Sequence, residues 1–176
     1  MLVRFLFLGL FTICVPAPSY SQELLKLNLI KDEFCQYVDL NTENIIQLLA
    51  TSDDEFVHFM QENHFRKAEL GRNNEFIAPS TKLNHARLLF KKNHEIVFTF
   101  SPETQNLVHN FLTDLKTHSQ LKSNSTKGNV QSLYVKFPQL AVKQNYQITL
   151  TEKIDSEEYV GRTIEVKTLI VTIKRR

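Results

Sequence analysis

Hydrophobic side chains follow two periods along this chain, and the switches between them mark its elements. A helical period is clearest in Ser101–His118. Ser101 can cap its start, Pro102 fits the first helical position, and Glu103 puts negative charge in the first turn. Leu107, Val108, Phe111, Leu112 and Leu115 then form one apolar stripe. A second helix opens at Ser52-Asp53-Asp54-Glu55, where Ser52 and Glu55 have the spacing of a capping box, and Phe56, Phe59 and Met60 supply the stripe. Asn41 or Thr42 can cap a shorter helix through Ala50 that turns Ile45, Ile46, Leu48 and Leu49 inward. Between Gln22 and Leu40 the pattern is ambiguous. Leu24, Leu25, Leu27, Leu29 and Ile30 fit a strand or a helix, and Lys31–Val38 reads as weakly helical.

Elsewhere the period is nearer two. Phe65–Leu70 and Glu75–Ala78 are short strand candidates on either side of a turn at 71–74, ended by Pro79 and Ser80. His85–Lys91 and Glu95–Ser101 form a predicted hairpin, with Ile96, Phe98 and Phe100 alternating in its second arm. Ser119–Asn129 is polar and reads as a loop; it carries the triplet Asn124-Ser125-Thr126, a glycosylation acceptor only in a eukaryotic secretory pathway. Val130–Phe137 alternates up to Pro138, and Tyr146, Ile148 and Leu150 alternate in the next stretch. Asp155–Glu158 reads as a polar turn before the longest strand candidate, Arg162–Lys174. In that strand Ile164, Val166 and Ile170 share one side, and Leu169, Val171 and Ile173 predict a second half buried on both faces. The expected fold is α+β, with helices packed on antiparallel β-sheet. The element order is compatible with two αβββ-like halves, 52–101 and 102–176, within one domain spanning 22–176. In element order alone the chain resembles the tandem αβ modules of secreted β-lactamase-inhibitor-type proteins, a likeness that carries over no residue and no activity.

Composition adds a destination. The 176 residues, 42% hydrophobic and 23% charged, suit one globular domain, and a net charge of +2 is too small to imply a polyanionic partner. Residues 1–21 stand apart: Arg4 precedes an uncharged apolar run, Phe5–Val15, followed by Pro16, Pro18 and the small residues Ser19 and Ser21. That order describes a signal peptide cleaved before Gln22, and the run is about half the ~20 residues a spanning helix needs. Ile13 before Cys14 argues against a lipoprotein signal. Cleavage leaves Cys35 as the single cysteine, so the fold rests on its apolar core without an internal disulfide. The mature chain is expected to be exported, periplasmic or extracellular, with no stable membrane span.

Recognised chemistry is sparse. His58, Glu62 and His64 lie close in sequence, and His94-Glu95 begins like a zinc-peptidase motif, but Phe98 stands at the closing position. No G-x-S-x-G elbow, Gly-rich phosphate loop or basic-aromatic stripe is present, so neither a catalytic residue, a metal site, a cofactor nor a nucleic-acid partner is assigned. Tyr134, Lys136 and Tyr146 can lie on one exposed sheet face and are the candidate binding surface. The resulting expectation is a non-catalytic envelope or extracellular module that binds another protein or a peptide. The alternatives are a small hydrolase with a dispersed site and a carrier of a small apolar ligand. N-terminal mass spectrometry of the exported protein is expected to find a chain that starts at Gln22; retention of Met1 would refute cleavage.

Overall fold

The computed structural model describes residues 25–176 apart from 32, 34–35, 70, 80–86, 102–104 and 141–143, and leaves the side chains of 105, 157 and 159 undescribed. The leader, both cysteines and the Pro102 and Glu103 helix start therefore lie outside the described residues. So do Ser80 and His85. The chain is of mixed α+β class. It runs β1 (Leu29–Lys31), β2 (Gln36–Val38), α1 (Thr42–Ala50), α2 (Asp53–Glu62), β3 (Arg66–Lys67), β4 (Glu75–Ile77), β5 (Arg87–Lys92), β6 (Glu95–Phe100), α3 (Gln105–His118), β7 (Gln120–Lys127), β8 (Val130–Lys136), β9 (Asn145–Tyr159) and β10 (Arg162–Arg175).

Two helix starts are written in local hydrogen bonds. The Asn41 side chain, on extended backbone, accepts the Asn44 N–H at 2.8 Å and so satisfies one of the free donors of α1. In α2 the Ser52 hydroxyl accepts the Glu55 N–H at 3.2 Å, while the Glu55 carboxylate accepts the Ser52 N–H at 2.9 Å, completing the predicted capping box. These bonds from the backbone and hydroxyl of Ser52 hold the Glu55 carboxyl below its ordinary pKa. Helix α2 stops in a Schellman arrangement: Phe65 N–H donates to Met60 O and His64 N–H to Gln61 O, with His64 at φ 64°.

Eight strands form one antiparallel sheet in the order β3-β4-β5-β6-β10-β9-β8-β7. Each four-strand meander starts at an outer edge and ends at the centre, where β6 pairs with β10 from Leu169↔Phe100 to Lys174↔Glu95. Alternation then places Ile96, Phe98, Phe100, Leu169, Val171 and Ile173 in the buried cluster, together with Leu89, Leu133, Ile148 and Leu150. Ile45 and Leu48 of α1, Phe56 and Met60 of α2, and Phe111 and Leu115 of α3 belong to the same cluster. Phe56 meets Phe76 of β4 edge-on, with ring centroids 5.6 Å apart.

Four expectations are corrected. Lys31–Val38 is not helical where it is described; β1 pairs with β2 as a separate two-stranded ribbon. Ser119–Asn129 is mostly strand: β7 borrows its hydrogen-bond partners from β8 and is exposed along its whole length, so it needs no apolar alternation. Asp155–Glu158 lies within β9, and the reversal falls at Val160-Gly161, where φ is 49° and 70°. Two successive positive φ values are the signature of a two-residue hairpin turn whose twist matches the strands. The second half of β10 alternates between buried and half-buried positions, so one of its faces is more open than its apolar run predicts.

One buried charge ties a helix to the sheet. Lys91 of β5 is 1% exposed, and its Nζ donates to Asp53 Oδ1 at 2.7 Å. Asp53, the first residue of α2, also accepts the Asn93 N–H at 2.9 Å and so grips the β5–β6 turn. Burial raises the Asp53 pKa, but the Lys91 and Asn93 hydrogen bonds and the lysine charges outweigh it, and the net shift is downward. Its stabilising contribution is therefore complete above the unfolded carboxyl pKa, about 3.9, and is lost as pH falls through the lowered folded value. Asp53→Ala, which strands a buried ammonium, is expected to cost about 3 kcal/mol in urea unfolding at pH 7, whereas Lys91→Met is expected to cost less, because Asp53 keeps solvent and the Asn93 N–H. Equal losses in the two variants would refute this asymmetry.

Candidate functional site

The structure does not bring Tyr134, Lys136 and Tyr146 together. The β8–β9 register pairs Tyr146 with Val135, a core position, so Tyr146 is 4% exposed and its ring lies 5.5 Å from that of Phe137. Burial raises its phenol pKa, partly offset by the charge of Arg175. The expected common face is thus corrected at this residue. Tyr146 shares its parity with Ile148 and Leu150, and that signal was present in the sequence. Tyr134 and Lys136 lie half-buried on the opposite face, where the Arg176 guanidinium sits 5.8 Å from the Tyr134 ring and bonds to Gln147. His58 pairs with Glu62 at 3.1 Å on an exposed face, and His64 occupies the left-handed stop of α2. Among the described residues no three His, Cys, Asp or Glu side chains are placed to hold a metal ion. Among them, too, no helix is long and apolar enough to cross a membrane.

Both edges of the sheet are poor docking rails. At one end β3 is only two residues long. At the other, β7 is polar, carries Lys122 and Lys127, and shifts register between Leu121 and Ser123. Short length, lysines and bulges are the devices by which sheets refuse a further strand.

A different feature stands out from the sheet. Strand β8 pairs with β9 only as far as Thr151, and β6 pairs with β10 only from Leu169 onward. Residues 153–159 and 162–168 therefore pair with each other and with no other strand. At about 3.3 Å per residue this arm is about 23 Å long. Its base is anchored where Glu152 N–H donates to Asn129 O and the Asn129 side chain donates to Glu152 O. Ile154 is 58% exposed and Val160, at the tip, 87%. The tip is unusual: a β-branched residue at φ 49° is strained, where Asn or Gly would adopt that conformation more easily. The sequence hid the arm because both of its faces meet water and its charges mimic a turn; only Gly161 hinted at the true reversal.

A second recess lies between α1, α3 and the β1–β2 ribbon, with a cavity volume of about 960 Å³. Its wall holds a cross-tie: Asp114 of α3 accepts the Thr42 N–H at 2.5 Å, capping α1 from outside, and also contacts His118 Nδ1 at 2.9 Å. Thr42 is 1% exposed, and its Oγ1 has no hydrogen-bond partner among the described residues. No local motif announces this recess, because its residues come from three separate parts of the chain.

Comparison with protein-family models, curated protein sequences and solved structures finds no match to this chain. Its function must therefore be argued from the arm and the recess themselves. Thr42→Val, which removes an unpartnered buried hydroxyl while keeping its shape, is expected to raise unfolding free energy by about 1 kcal/mol. Thermal and urea melts check this; a loss of stability would show that the hydroxyl is satisfied in solution.

Proposed function

We propose that this protein is an exported, non-catalytic binding module that engages another protein through the β9–β10 arm. The observation that carries the reading is the arm itself: a two-stranded ribbon is marginal in water on its own, yet this one extends past every neighbouring strand and ends in an exposed valine on strained backbone. Strain kept at an exposed tip, where a softer residue would stabilise the turn, is understandable if Val160 inserts into a partner. We infer further that the helices cover one face of the sheet, which leaves the arm and the face of Tyr134 and Lys136 as accessible surface. Action outside the cytoplasm is supported by Arg4, the Phe5–Val15 run and the Ser19/Ser21 junction.

The hydrolase and apolar-carrier readings have less support. The His118 ring is engaged by the Asp114 carboxylate and carbonyl, which is not the nucleophile–base pairing that a hydrolase site needs. The recess is lined by many polar groups and is open, unlike an enclosed apolar cavity.

Two variants separate function from folding. Val160→Asn is expected to stabilise the turn by about 1 kcal/mol, because Asn-Gly suits two positive φ values, and at the same time to weaken partner binding. Replacing residues 154–167 with Asn-Gly keeps the Lys153↔Thr168 pair and removes the arm. A photo-crosslinker at position 160, used in the native compartment, is expected to capture a defined partner that the arm-less protein no longer retains in a pull-down. Retention of the same partners without the arm would overturn the proposal.

A further inference from the structure

The recess between α1, α3 and the β1–β2 ribbon is independent of the arm, and its chemistry points to a ligand of its own. We infer that it is a binding site for a neutral, polyhydroxylated ligand, a short saccharide.

Charge removes one class first. Asp39, Glu43 and Asp114 line the recess, and no lysine or arginine does among the described residues. A phosphate or carboxylate ligand would face three carboxylates with no lysine or arginine to receive it. Each carboxylate already accepts a hydrogen bond within the fold, so a cation would have to share its oxygens with those donors. Asp39 accepts from the Asn41 side chain at 2.6 Å, Glu43 from the Asn28 side chain at 3.0 Å, and Asp114 from Thr42 N–H with His118 beside it. The N-terminal end of the nine-residue α1 offsets part of their charge as well.

What remains is a set of neutral donor–acceptor groups. Gln47, Asn106 and Asn110 bring amides to the wall, and each amide offers two donors and an acceptor. Hydroxyl groups, which both donate and accept, match such a surface. Thr42 supplies the independent indication: it is buried, lines the recess and has a hydroxyl with no partner among the described residues. The apolar side chains Ile46 and Leu107, with the ring of Tyr37, give the C–H face of a sugar somewhere to rest. A volume of about 960 Å³ is at the upper end of the usual range for ligand clefts and suits two or three sugar units better than one.

The test uses the purified protein with maltotriose, cellotriose and triacetylchitotriose, and with spermidine and inorganic phosphate as charged probes. Binding is read by saturation-transfer NMR and by amide shifts at Thr42 and Glu43. At least one trisaccharide is expected to bind and to move these amides. Thr42→Val is expected to weaken that binding roughly 3–10-fold, the value of one hydrogen bond. Asn110→Leu, at an exposed helix position, is expected to weaken it at least as much without lowering the melting temperature. The inference is overturned if none of the trisaccharides binds, if spermidine or phosphate moves the same amides instead, or if trisaccharide binding survives both substitutions.

Discussion

The pairing of β6 with β10 is the interaction on which the rest of this structure depends. Two meanders, separated in sequence by α3, each approach from an outer edge and meet in the register Leu169↔Phe100 to Lys174↔Glu95. Without that seam each meander would expose an unpaired apolar strand, since Phe98 and Val171 are opposite one another and both are almost fully buried. The seam joins contacts about 75 residues apart, so the loop-closure entropy must be overcome by the apolar area buried there.

Two polar cross-ties involve the helices. Asp53 at the start of α2 grips Lys91 and the turn at Asn93, and Asp114 of α3 caps α1 through Thr42. Each carboxylate joins elements distant in sequence, and Asp114 also satisfies a free donor at the start of α1. Arg87, packed over the rings of Tyr37 and Phe100, links the β1–β2 ribbon to the sheet in a similar way. At the recess, the Asp114 carboxylate holds the start of α1 from outside that helix.

The arm follows from the same seam. Strand β10 has finished pairing with β6 at Leu169, but it continues toward the turn with β9 for company only. The blunted edges at β3 and β7 discourage a further strand, while Ile154 and Val160 are offered to solvent on the arm. The fold thus protects its sheet edges yet displays a strained apolar tip.

Much of the fold was legible without coordinates wherever an element carries its own information. Asn41, Ser52 and Glu55 announce helix starts because capping is local, and Ile96, Phe98 and Phe100 announce a buried strand because period two maps directly onto one sheet face. Tertiary structure decided what depends on a distant partner. The polar β7 is a strand only because β8 lies beside it, and 155–158 continues a strand because the reversal waits for Val160 and Gly161. Tyr146 is buried because register places it opposite Val135, and Asp114 meets Thr42 only when α3 is set against α1. Short-range hydrogen bonds and side-chain periodicity are properties of a segment; pairing, burial and recesses are properties of the segments it meets.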